Sequence, residues 1–99
     1  MELWLVRRER GGPWDWSRDL REQDGWEEHA RIMDQWVEDG FTILGGPVEG
    51  EKETVHVIDA PSEKAIQEKF AEDNWTANGM LATKSIERWT VLLDGRDRR

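Results

Sequence analysis

FTILGGPVEGEKETVHVIDAPSEKAIQEKF, residues 41 to 70, carries two β-favouring runs, a polar turn and a helix start in direct succession. Phe41 to Leu44 reads as a strand running into Gly45, Gly46 and Pro47, and Thr54 to Ala60 as a second strand. The polar connection around Gly50 is a short hairpin loop. Pro61 and Ser62 then open a helix with Ser62 as its N-cap. At helical spacing Ala65, Ile66 and Phe70 share one face, and Asp73 projects the same way if the helix lasts two turns beyond Ile66. A hairpin followed at once by an amphipathic helix is the middle of a βαββαβ chain.

The flanks supply the remaining elements. Glu2 to Arg8 is a first strand, with Leu3 and Leu5 on one side and Trp4 and Val6 on the other. Glu9 to Gln23 contains Gly11, Gly12, Pro13 and mixed charges, and reads as a long loop. Its Trp14 and Trp16 suggest a lid, since exposed indoles in a free loop would forgo their burial energy; packing on the surface is the plain alternative. A helix follows, with Asp24 as N-cap, Glu27 completing a capping box and Gly40 as the stop. Trp26, Ala30, Ile32, Met33, Trp36 and Val37 fall on one arc of this helix, and His29 lies in the same arc. The second helix breaks at Asn78 and Gly79, and Lys84 to Leu93 is the last strand, with Trp89, Val91 and Leu93 set against Ile86 and Leu92.

These elements predict one α+β domain over residues 1–93, with a charged tail over 94–99 too polar to pack. The expected architecture is a four-stranded antiparallel sheet with two helices on one face. A sheet that is apolar on both faces, with helices for only one, predicts a homodimer formed through the bare sheet face.

A chain of 99 residues leaves room for one core and buries only about two thirds of its unfolded surface. Its 22 acidic and 14 basic side chains leave a net charge of -8, which repels phosphate backbones. Nucleic acid is therefore not an expected partner, and the nearest basic cluster, Arg96 to Arg99, is a chain end. No membrane partner is expected either, because the apolar start at Leu3 to Val6 is far shorter than a signal core or a span. With no cysteine there is no disulfide framework and no thiolate chemistry, and the expected compartment is the cytoplasm.

The chemistry-bearing candidates are few. His29 on an apolar helical arc must find a hydrogen-bond partner, and Asp73 is the second inward polar group, so each could satisfy the other. A carboxylate that fixes an imidazole tautomer while the other ring nitrogen faces a substrate also has the form of a general base. A buried structural pair is the bland alternative. His56 within its strand reads as a sheet-face residue or part of a dimer interface. Trp26, Met33 and Trp75, with Gly45, Gly46 and Pro47 permitting close backbone approach, are candidate walls of a pocket for a small organic molecule. Trp36 is expected near the same histidine and aspartate. Neither a metal-ligand spacing nor a Gly-rich phosphate loop, nucleophile elbow or serine triad is present, so no metal and no cofactor are expected.

The segments Glu28-His29-Ala30, Gly40 to Pro47 (GFTILGGP), Ala71 to Leu81 (AEDNWTANGML) and Ile86 to Leu93 (IERWTVLL) resemble the YCII-related, or YciI-like, proteins over nearly the whole chain. The resemblance implies a ferredoxin-like fold, pairing in the manner of the dimeric α/β barrel superfamily, and an active site centred on His29 and Asp73. Asn74 stands where that family usually has proline, ahead of the aromatic Trp75. Relatives in the wider superfamily include lactone isomerases, a dehydrochlorinase and cofactor-free monooxygenases. The expected function is thus a cofactor-independent isomerase, lyase or dehydrochlorinase-like enzyme using a His-Asp acid/base pair. The competing expectations are a non-catalytic dimeric small-ligand-binding or interaction module, and a dimer whose pocket is vestigial.

Overall fold

Leu3–Arg10, strand β1, occupies the middle of the sheet, and its alternation divides the molecule into two sides. The computed structural model describes residues 1–96. In it β1 is followed by a single 3-10 turn at Leu20–Glu22, helix α1 at Trp26–Glu38, strands β2 at Thr42–Pro47 and β3 at Glu53–Asp59, helix α2 at Glu63–Phe70, a short helix α3 at Asn74–Ala77 and strand β4 at Leu81–Arg88. The strands are all antiparallel in the order β2-β3-β1-β4, compatible with a ferredoxin-like arrangement. The expected α+β class and four-stranded antiparallel sheet are therefore observed, with a third helix added.

Trp4, Val6, Arg8 and Arg10 alternate onto the helix side of β1, and the facing residues Ile58, His56 and Thr54 of β3 follow by register. Val6, Ile58, Ile66, Trp36, Phe41 and Phe70 form the main core there. On the other side lie Leu3, Leu5, Val55 and Val57, half-buried with no helix over them, beside an exposed Leu44. A bulge at Ile43 shifts β2 against β3, so that Thr42 pairs with Ile58 and Gly45 with His56.

Helix α1 ends as expected. Gly40 donates to Val37 O and Phe41 to Trp36 O, while the Phe41 ring meets Trp36 edge-on at 5.3 Å, which satisfies the last carbonyls and anchors the strand entry. Its start differs from the expectation. The N-cap is Gly25 at φ 81°, not Asp24, and no side chain caps it. Trp75 Nε1 donates to Asp24 O at 2.8 Å and Asn74 Nδ2 to Gly25 O at 3.0 Å, so the carbonyls here are used to hold α3, which fixes the backbone in a conformation suited to glycine.

Three other boundaries move. β1 continues through Arg10, so the long loop is shorter than read, and the 3-10 turn lies within it. α2 begins at its expected cap, Ser62 Oγ accepting from Ala65 N at 3.1 Å, but ends at Phe70. Asp73 is therefore not a late residue of α2; it is the N-cap of α3, accepting from Trp75 N, and it reaches the interior through that turn. Finally, β4 runs over Leu81–Arg88 instead of Lys84 to Leu93. Backbone pairing with β1 decides this, since Arg10 faces Leu81 and the chain edge at Leu3 is reached by Trp89 N. Leu92 and Leu93 are 87% and 92% exposed. Within the tail expected at 94–99, Asp94 to Arg96 are exposed and residues 97–99 lie outside the described residues.

Candidate active site

Asp73 is the centre of the site because the α3 turn points its carboxylate into the molecule with no solvent exposure. Oδ1 accepts from Trp75 N at 3.3 Å and lies 2.7 Å from His29 Nδ1; Oδ2 accepts from Arg8 Nη2 at 2.9 Å and from Thr76 Oγ1 at 3.2 Å. Arg8 Nη2 also donates to Thr76 Oγ1. Burial by itself raises the Asp73 pKa, but the hydrogen bond and charge of His29, then those of Arg8, outweigh it and hold the carboxyl below its ordinary value. Burial lowers the Arg8 pKa against the opposing pull of Asp73, and a guanidinium stays charged across the accessible range. Asp73 is thus an anion held by four donors.

With the carboxylate on Nδ1, the His29 tautomer that donates through Nδ1–H leaves a lone pair on Nε2. Nε2 has no protein partner among the described residues. The ring is stacked on Trp75 at 4.1 Å with an interplanar angle of 12°, and Trp26 lies tilted at 6.1 Å, so the imidazole plane is set from one side by indole and from one edge by carboxylate. Such fixing of orientation is what a proton-transfer group needs.

His29 faces a cavity of about 590 Å³ between α1 and β2, floored by β3. That is within the range of small-molecule sites. Trp26, Met33, Gly45, Gly46, Pro47 and Trp75 all line it, so the tertiary structure brings every expected pocket residue to one place. Asp73 stands behind His29 and does not line it. Gly45, Gly46 and Pro47 are strand residues paired with His56, Val55 and Thr54. A side chain at Gly45 would press on His56 Nδ1 at 3.1 Å, so the glycine there makes room for an imidazole. Val37, expected inside, is 57% exposed at the cavity rim.

His56 lies on the helix side of β3, not on the bare sheet face, and so is not part of an interface formed there. It is buried against Phe70 at 5.7 Å, and neither ring nitrogen has a partner among the described residues. Burial, reinforced by the nearby Arg8 and His29 charges, pushes its pKa down to about 3, so it is neutral near pH 7. Thr42 Oγ1 and Arg8 Nε and Nη1 are also buried and unpartnered.

Trp36, expected beside the histidine, belongs instead to the main core, stacked on Phe70 at 5.2 Å. Trp14 is buried edge-on to Trp75 at 5.3 Å, in a second cluster with Met80 and Leu81, whereas Trp16 is 61% exposed. Sequence reading missed Arg8, Thr76, Arg10 and Thr42. The signal for Arg8 was available: Trp4 and Val6 face inward, and two further steps of the same alternation reach Arg8 and Arg10. For Thr76 the signal was its place in a capping turn started by Asp73.

Among the described residues no group of three or more His, Asp or Glu side chains is placed to hold a metal ion, and no helix is long and apolar enough to cross a membrane. No family model, curated protein or solved structure matches the chain.

Proposed function

We propose that this protein is a cofactor-independent enzyme that moves a proton on a small organic substrate, with His29 Nε2 as the acid/base and Asp73 as the group that orients and polarises the imidazole. The observation that carries this reading is the asymmetry of His29. Its Nδ1 is held 2.7 Å from a buried carboxylate, and among the described residues its Nε2 has no protein partner beside the cavity. A purely structural pair would have both nitrogens occupied by protein groups. In the forward step the Nε2 lone pair takes a proton from a carbon next to an electron-withdrawing group; Asp73 stabilises the imidazolium, and the same proton is returned elsewhere on the substrate or leaves with a departing group. Isomerase, lyase and dehydrochlorinase-like reactions all have this form, and the same two residues are those that a resemblance to the YCII-related proteins would imply.

The test is deuterium exchange. Small lactones, β-dicarbonyl compounds and β-chloro carbonyl compounds are incubated in D₂O and followed by NMR. The expected result is exchange or turnover of at least one class by the wild type, falling by about 10²-fold or more in His29→Gln. Equal rates in the wild type and a folded His29→Gln would overturn the proposal.

A second reading is favoured by one observation, the fully buried Arg8–Asp73 pair. A carboxylate already held by Arg8, Thr76 and a backbone amide has a structural reason to exist, and the chain would then be a small-ligand-binding module. The proposed assembly is the same in both readings: a homodimer through the sheet face opposite the helices, where Leu3, Leu5, Val55 and Val57 lie beside the exposed Leu44 and the stretch from Trp89 to Leu93 flanks them. A single monomeric species in light scattering at micromolar concentration would refute the dimer.

A further inference from the structure

Arg10 is the last residue of β1 and the only cation of that strand besides Arg8 on the helix side. Nε donates to Glu51 O at 3.1 Å, Nη1 donates to Thr54 Oγ1 at 3.2 Å, and the guanidinium lies 4.0 Å over the ring of Trp14. Backbone, side chain and indole thus fix the fork before any ligand arrives. Arg10 lines the same cavity as His29. Yet no carboxylate pairs with it: Glu51 is near enough to act on it through space, but among the described residues Arg10 forms no salt bridge, and its Nη2 has no partner. Arg8, Arg18 and Arg88 all have acidic partners in this strongly acidic chain. A guanidinium that is ordered in advance, half-buried and without an anion is suited to bidentate recognition of one. Arg21, over the Trp26 ring at 5.7 Å, adds a second positive charge to the lining.

We propose that the cavity takes an organic anion, a small apolar or aromatic molecule bearing one carboxylate, and that Arg10 is the residue that selects that carboxylate. The apolar body lies along Trp26, Met33, Ile43 and Leu81, which line the cavity beside His29. The inference rests on the cavity being a substrate site and narrows its substrate class; Arg10 binds and orients, while His29 carries the proton.

The test uses benzoate and its uncharged near-isostere benzamide as probes, with affinity read from NMR titration of the folded protein. The wild type is expected to bind benzoate about tenfold or more tighter than benzamide, a difference of about 1.4 kcal/mol. Arg10→Gln is expected to bring the two within about twofold, and Arg10→Lys, which keeps the charge but not the fork, to retain part of the preference. Should Arg10→Gln not fold, a several-fold loss of preference in Arg10→Lys is the expected result. Equal affinities in the wild type, binding of neither probe up to ~10 mM, or a preference untouched by substitution at Arg10 would each overturn the proposal. The two readings fail separately: a benzoate preference lost at Arg10 without any His29-dependent exchange sinks the acid/base reading alone, and exchange without a carboxylate preference sinks the anion alone.

Discussion

Two aromatic clusters sit on the helix side of the same sheet, and they treat polar groups in opposite ways. Around Trp36, Phe41 and Phe70 the neighbours are mainly apolar, Val6, Ile58, Ala60 and Ile66, and the three rings pack on one another by stacking and edge contacts, with His56 and Arg8 meeting only the Phe70 ring. Around Trp75, which Trp14 meets edge-on, the rings of Trp75 and Trp26 flank an imidazole, and a carboxylate with no solvent exposure lies directly behind it. The first cluster is a dry core whose contribution scales with buried apolar area. The second gives up part of that contribution to hold charged groups, which is the expected trade where a site must keep reactive groups in fixed positions. Arg8 joins them: its guanidinium lies 4.7 Å over Phe70 and donates to Asp73. The fold is therefore a stable apolar half that positions a polar half through one buried cation.

The largest test of that picture is removal of the joint. Arg8→Met leaves Asp73 as a buried anion with only His29 and neutral donors, and is expected to cost about 3–5 kcal/mol in denaturant unfolding. Recovery of much of that loss in Arg8→Met with Asp73→Leu would show that the pair serves position and not stability. A cost for Arg8→Met under about 1 kcal/mol would break the comparison.

Smaller effects separate the clusters themselves. Phe70→Leu in the dry core is expected to cost about 1–2 kcal/mol and to leave the His29 ring signals nearly unmoved. Trp75→Phe should cost a comparable amount, because it removes the Nε1 bond to Asp24 O, but it should also shift the His29 imidazole resonances strongly, since the stacked indole is lost. Similar His29 shifts in both variants would mean the clusters are not independent.

Acid distinguishes the halves by the pH at which each gives way. His56 has a folded pKa of about 3, below its unfolded value, so the unfolded chain takes up its proton first. Its contribution is fully present above about pH 6.5 and is lost as pH falls towards 3, with a slope of at most about 1.4 kcal/mol per pH unit. Asp73, also lowered, adds a loss of the same sign, but only as pH falls below the ordinary carboxylate range. Stability measured from pH 7 to 4 should therefore decline in the wild type and flatten in His56→Leu; an unchanged slope in that variant would remove His56 from the account. Smallest of all, Trp16→Ala at an exposed position should stay within about 0.5 kcal/mol of wild type, unless the residue contacts a ligand or partner.

The pattern of residues that carry local rules survived into the structure. Ser62 caps α2, Gly40 ends α1, and the alternation of Leu3 to Val6 assigns the two sides of the sheet, because each depends on neighbours within a turn or a strand. The pairing of His29 with Asp73 was also readable, since two inward polar groups on facing elements need each other. By contrast, the end of β4 and the cap of α1 were misplaced. Leu92 and Leu93 look like strand by composition, yet β1 offers no backbone partner beyond its own start, and Asp24 looks like a cap, yet its carbonyl is taken by Trp75.

The amino-acid sequence alone determined the order of the four strands and two main helices, the α+β class, the acidic charge balance and His29 as an inward histidine of α1, all of which follow from short-range periodicity and composition; Asp73 is inward as expected, but it reaches the interior through the α3 turn and not by the periodicity of α2. Only the tertiary structure decided that Arg8 lies buried against Asp73, that Trp36 and Trp75 belong to different clusters, and that Arg10 and His29 share one cavity. These depend on register and on packing between residues far apart in the chain, where a one-residue shift changes which face a side chain takes, and charge or hydrophobicity read along the chain carries no record of that shift.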